Sequence, residues 1–261
     1  MSEEKANPKA HLVFVHGASH GAWCWYKIRS FLETAGYSAI CLDLAGAGID
    51  LTDPNTVLTF EQHNRPLFDF FSTLPPGEKV IVVAHSAAGS SLTYALCNFT
   101  NQISMAIYVA AGMEKPGSID HSVNLWYRRL PPLTEVFDCT YALGEDQPPT
   151  SIIMKKEYQR VYYYNLSPLE DSTLASMLLR PTPARASLRD LGESKEAELV
   201  PRVFIKTLQD RIIDPSKQDE MIRKWPPSLV FTLDSDHSPF FSAPEALFNF
   251  LLQVIASLKS A

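Results

Sequence analysis

The chain predicts an α/β protein built on a mostly parallel, six-stranded sheet with helices on both faces. Three observations carry this reading. Short apolar runs alternate with segments of helical spacing. The runs are apolar throughout rather than at every second position, as strands covered on both faces are. The chain has 261 residues, enough for one large domain that buries its own core.

The first strand is His11 to Val15, an apolar run after a polar leader and closed by Gly17. Trp23 to Thr34 has helical spacing through Trp25, Ile28, Phe31 and Leu32, and Gly36 stops it. Ser38 to Leu42 is the second strand. Phe60 to Leu74 reads as a helix through Leu67, Phe70 and Phe71 despite Pro66, and Pro75-Pro76-Gly77 ends it. Lys79 to Ala84 is the clearest buried strand, followed by a helix over Ala87 to Asn98 and a strand over Ile103 to Ala111. Arg202 to Thr207 and Leu229 to Leu233 are strands that flank a helix near Gln218 to Arg223. The last helix carries Leu247, Leu251, Val254, Ile255 and Leu258 on one face, with Pro244 in its first turn.

One stretch breaks the alternation. Between Gly112 and Pro183 no parallel-sheet strand is legible, and the stretch holds eight of the nineteen prolines. It reads as a cap inserted at residues 112–183 over the sheet's C-terminal edge, with residues 1–111 and 184–261 forming the core domain. Trp126, Tyr127, Phe137, Tyr141, Tyr158 and Tyr162 to Tyr164 are its candidate pocket walls, Trp126 first among them.

Composition removes several classes. Apolar residues make up 46% and charged residues 20%, which excludes a disordered chain. The net charge of −6 and the lack of any basic cluster beyond Arg128-Arg129 and Lys155-Lys156 argue against a nucleic-acid partner. No apolar run reaches the roughly 18 residues that span a bilayer, so no membrane partner is expected. The leader Met1 to Ala10 is polar, unlike a secretory signal. The cysteines, Cys24, Cys41, Cys97 and Cys139, have no CxxC spacing and read as reduced thiols of a cytoplasmic protein. The seven histidines form no HExxH pair, so no metal is expected.

A ligand site on such a sheet lies beyond the strands' C-terminal ends. After the strand at 79–84 stand His85-Ser86-Ala87-Ala88-Gly89. A serine among small residues at a strand-to-helix turn is the pattern of a nucleophile elbow, although Ala84 and Ala88 replace the usual glycines. A serine hydroxyl needs a base and the base an orienting acid. His237 follows the strand ending at Leu233, whereas His121 falls in the insertion. Asp210 follows the strand ending at Thr207, with Asp214 the competing carboxylate. Ser86, Asp210 and His237 therefore form the expected triad. The expected oxyanion donors are the N–H groups of Ala87 and of Ala18, the latter in the small-residue loop His16 to Gly21. His16 and His20 are expected to be structural.

The segments VFVHGASHGAWCWYKI (13–28), CLDLAGAGID (41–50), LPPGEKVIVVAHSAAG (74–89), LSPLEDSTLASMLLRP (166–181) and SDHSPFFSAP (235–244) resemble the plant methylesterase and hydroxynitrile lyase family of α/β-hydrolases. The likeness covers nearly the whole chain. It implies an α/β-hydrolase fold with a helical cap, no cofactor, and a small-molecule ester as partner. It implies a methylesterase that cleaves a methyl ester of a small apolar acid, of the plant hormone or indole-alkaloid type, through an acyl-enzyme. A homodimer is compatible with it. Lyases of the family carry Thr where Gly17 stands and Lys where Ser238 stands, so Gly17 and Ser238 are expected at the substrate pocket and cyanohydrin cleavage is the alternative reading. A weakly catalytic small-ligand receptor on the same fold is the other.

Overall fold

The computed structural model describes residues 11–117, 132–186 and 194–258. Its main sheet has six strands, all parallel: β1 (His11–Val15), β2 (Ser38–Leu42), β3 (Val80–His85), β4 (Ile103–Val109), then β8 (Arg202–Thr207) and β9 (Leu229–Leu233), in the order β2-β1-β3-β4-β8-β9. These are the six strands the apolar runs predict, with ends differing by a residue or two. All six residues of β3 are buried, as its continuous apolar run requires.

The helices follow from local signals. Helix α1 (Tyr26–Thr34) is preceded by a 3-10 turn at Ala22–Trp25, which takes up the first part of the predicted helix. Helix α2 (Phe60–Thr73) opens with a reciprocal cap between Thr59 and Gln62. Helix α3 (Ala88–Asn98) starts directly after the turn at Ser86. The chain moves from β1 outward to β2, then crosses back to β3 on the other side of β1. With right-handed crossovers this reversal places α1 on one face and α2 and α3 on the other. The rings agree: Phe68 of α2 stacks on Tyr94 of α3, and Phe31 of α1 meets Phe248 of the last helix.

Between β4 and β8 the chain leaves the sheet. Helix α4 (Leu133–Val136) leads into strands β5 (Phe137–Thr140) and β6 (Ser151–Met154), and helices α5 (Lys156–Tyr162) and α6 (Leu169–Leu178) precede β7 (Thr182–Pro183). Strands β5, β6 and β7 form a separate antiparallel sheet. The region therefore combines helices with a small sheet, where the resemblance implies helices. Helix α7 (Pro215–Lys224) begins three residues before the predicted start, because Asp214 accepts the Ser216 N–H at its N-terminus and Pro215 stands in the first turn. The short α8 (Pro239–Ser242) and the long α9 (Pro244–Leu258) complete the fold. No helix among the described residues is long and apolar enough to cross a membrane.

Candidate active site

The reversal of chain direction leaves a crevice between the C-terminal ends of β1 and β3, where open α/β sheets bind ligands. Two turns meet there: residues 16–21 after β1 and residues 86–87 after β3.

Ser86 is the turn from β3 into α3. Its φ is +54°, a left-handed conformation that costs a non-glycine residue on the order of 1–2 kcal/mol. The surroundings hold it there. Its N–H donates to the Val109 carbonyl at the end of β4, and its own carbonyl accepts from Gly89 and Gly112. A Cβ on Gly89 would stand 1.9 Å from the Gly112 carbonyl oxygen, so a glycine is needed here, three residues after the serine. Ala84 and Ala88, the replacements noted in the sequence, are buried and have no positive φ, so their methyl groups meet no backbone penalty.

The Ser86 Oγ lies 2.9 Å from His237 Nε2, and His237 Nδ1 lies 2.8 Å from Asp210 Oδ2. Asp210 is itself held: its Oδ1 accepts the N–H groups of Ile212 and Ile213, each at 2.8 Å, and its Oδ2 accepts the Thr207 hydroxyl at 3.0 Å. Gln218, fully buried on α7, braces this loop by donating to the Thr207 and Ile213 carbonyls. Asp214 instead caps α7.

A cavity of about 30 Å³, room for about one water molecule, is lined by Ala18, His20, His85, Ser86, Ala87, Tyr163, Ile212 and His237. Of the residues expected at the site, Ser86, His237, Ala18 and Ala87 line this space, and Asp210 stands behind the imidazole. No backbone acceptor takes the N–H of Ala18 or of Ala87 among the described residues. Gly17 lies against the elbow; a Cβ there would come within 2.8 Å of Ser86 Cβ and 2.9 Å of His85 Nδ1. Ser238 is not among the lining residues. It is fully buried and donates its N–H to Asp236. Of the candidate walls, Tyr163 lines the cavity, Phe137 is buried in the core and Tyr141 is exposed. Trp126 and Tyr127 lie outside the described residues.

Three residues of the site have no motif in the sequence. Ile212 lines the cavity two positions after Asp210. His85, fully buried, sits 2.7 Å through Nε2 from the His237 carbonyl, so its Nε2–H donates and fixes the backbone of the loop. Asp236, also fully buried, accepts five hydrogen bonds: from the N–H groups of Leu166, Ser167 and Ser238 and the hydroxyls of Ser167 and Ser242. Adjacency to His237 is the only sequence signal for Asp236.

Burial keeps the neighbouring imidazoles neutral. It pushes His20 down to about 3 and His16 and His85 below their ordinary value. No group of three or more His, Cys, Asp or Glu side chains among the described residues is arranged to hold a metal.

The parallel sheet with its covering helices, and the Ser86 turn at the crevice of its direction reversal, are the architecture of an α/β hydrolase. The family model described as "Alpha/beta hydrolase family" matches residues 12–250. The pFDCC methylesterase MES16 of Arabidopsis thaliana is 52% identical over 98% of each chain, and its crystal structure superposes with a TM-score of 0.87 over 95% of this chain and 99% of that one. A pheophorbidase of Raphanus sativus is 50% identical over 95% of each chain. The crystal structure of polyneuridine aldehyde esterase matches with a TM-score of 0.84 at 27% identity, over 94% of this chain and 98% of that one. The chain belongs to the plant methylesterases of the alpha/beta hydrolase family and is a carboxylic ester hydrolase.

Proposed function

We propose that the chain hydrolyses a methyl ester by two-step acyl transfer, with Ser86 as nucleophile, His237 as base and Asp210 as its orienting acid. The observation that carries this reading is the file Ser86 Oγ, His237 Nε2, His237 Nδ1, Asp210 Oδ2, with successive contacts of 2.9 and 2.8 Å. Ser86 Oγ adds to the ester carbonyl carbon as its proton passes to His237 Nε2. The carbonyl oxygen becomes an oxyanion, received by the N–H groups of Ala18 and Ala87. The tetrahedral centre collapses, the C–O bond to methoxide breaks, and the His237 proton leaves on methanol. Water then repeats the sequence on the acyl-enzyme and releases the acid.

The residues at 112–183 act as the cap over this site in the same reading. Two relatives at about half identity are named for pFDCC methylester cleavage and as a pheophorbidase. Their substrates therefore head the test panel, ahead of hormone-type and indole-alkaloid esters. The four free cysteines suit a reducing cytoplasm. The lyase alternative is disfavoured because Gly17 and Ser238 stand where the family's lyases carry Thr and Lys.

The test is a methyl-ester panel read by mass spectrometry with wild type and Ser86→Ala. Wild type should replace methyl by hydrogen in at least one ester, and the variant should lose activity by a factor on the order of 10⁴ or more. Equal p-nitrophenyl acetate turnover by wild type and variant would favour a receptor, and cyanide release from mandelonitrile a lyase.

A further inference from the structure

The loop after β1 holds two histidines used in the same way. His16 Nδ1 is 2.8 Å from the Gly17 carbonyl, and His16 Nε2 accepts the Leu44 N–H at 3.1 Å. His20 Nδ1 is 2.8 Å from the Ala18 carbonyl, and His20 Nε2 is 2.7 Å from the Tyr164 hydroxyl. A carbonyl only accepts, so each Nδ1 carries the proton and each Nε2 is a bare acceptor. The Tyr164 O–H must therefore donate to His20. Tyr164 belongs to the segment between α5 and α6 and is fully buried.

These contacts decide where one N–H points. Two consecutive peptide groups, Gly17–Ala18 and Ala18–Ser19, offer two carbonyls and two N–H groups. The Gly17 carbonyl accepts from His16 and from the His20 N–H. The Ala18 carbonyl accepts from His20. The Ser19 N–H donates to Thr182 Oγ1. Only the Ala18 N–H has no acceptor among the described residues, and Ala18 lines the cavity over Ser86. Because a peptide is planar and trans, anchoring the Gly17 carbonyl on one side directs the Ala18 N–H to the other. Ser19 keeps a left-handed φ of +63° in this arrangement, and its carbonyl accepts the Arg180 N–H.

We infer that His16 and His20 are positioning residues for the Ala18 N–H donor, and that Tyr164 couples the segment above the site to that donor through His20. The inference rests on the proposed esterase reading and goes beyond it. The chain Tyr164 O–H, His20 imidazole, Ala18 carbonyl fixes the Ala18–Ser19 peptide, which shares the Ala18 Cα with the donor-bearing Gly17–Ala18 peptide held by the His16 imidazole and the His20 N–H. A donor of this kind is worth roughly 10²–10³ in kcat when removed; loosening it forfeits part of that factor.

The experiment uses the full chain and four variants: Tyr164→Phe, His20→Ala, His20→Asn and Ser86→Ala. Two quantities are measured for each folded variant: p-nitrophenyl acetate kinetics, and affinity for an aryl trifluoromethyl ketone. The ketone accepts Ser86 Oγ at its carbonyl carbon, the serine proton moves to His237, and the new oxyanion occupies the hole. His20→Ala should lower kcat about tenfold and Tyr164→Phe about threefold, each with KM within about twofold and the ketone weakened by a similar factor. His20→Asn keeps an amide N–H near the position of Nδ1 but loses the Nε2 that takes the Tyr164 O–H, so it should match Tyr164→Phe. Unchanged kcat and ketone affinity in Tyr164→Phe or His20→Ala would overturn the inference, as would a loss in His20→Asn as large as that in His20→Ala. Turnover by Ser86→Ala equal to wild type would instead overturn the esterase reading itself.

Discussion

At the scale of single residues, Gly89 and Ala88 show that the glycine requirement of a tight turn is a matter of what stands opposite. The Gly89 position faces the Gly112 backbone, which cannot yield, so Gly89→Ala should destabilise by about 3 kcal/mol through overpacking. For a chain this size that is a drop of roughly 6–12 °C in Tm by thermal denaturation. Ala88→Gly should leave ester kinetics within about twofold and cost about 1 kcal/mol of helix stability. A Tm loss from Ala88→Gly as large as that from Gly89→Ala would refute this ordering. The motif pattern draws attention to Ala84 and Ala88 because it is written along the chain. The contact that matters joins Gly89 to Gly112, and distance in space is not written there. His16 and His20 are a similar case. Their presence in the loop is legible, but their tautomers are set by carbonyls and by Leu44 and Tyr164, which the sequence places far apart.

At the scale of elements, the strands of the main sheet are legible because they are buried on both faces and so apolar throughout. Strands β5, β6 and β7 are not, because they have two to four residues and mix Asp, Thr and Ser with apolar side chains. The start of α7 carries a readable signal in Asp214-Pro215 that periodicity alone overlooks. The tie between elements is harder to read. Asp236 joins the loop before α6, through Leu166 and Ser167, to both ends of α8, through Ser238 and Ser242. Every partner is a donor, and backbone N–H groups face both oxygens. Asp236→Asn must therefore turn an NH₂ group toward another donor, whichever way it flips. The expected cost is about 2–4 kcal/mol in urea denaturation, with kcat also falling because His237 is the next residue. Stability within about 0.5 kcal/mol of wild type would show that the network tolerates a neutral partner.

At the scale of the whole molecule, the buried histidines make stability depend on pH. Burial lowers His20 to about 3 and His63 to about 4, against an ordinary 6.5. In the unfolded chain both take a proton below about pH 6.5. Between that value and the folded pKa the unfolded state binds more protons, so stability falls as pH falls. Each group contributes at most about 1.4 kcal/mol per pH unit in this window. His16 and His85 act in the same direction. The urea midpoint should therefore decline steadily from about pH 6.5 toward pH 4.5, and a flat profile across that range would contradict neutral buried imidazoles.

Among the described residues, no lysine or arginine lines the cavity over Ser86. In the proposed hydrolysis the positive charge that forms there is the His237 imidazolium, and it is discharged when the proton is handed on. Such a chamber suits fragments that collect a proton on the way out and exit uncharged, as an alcohol does. On the proposed reading the proton itself is the counter-charge, delivered with the departing fragment instead of waiting in the wall.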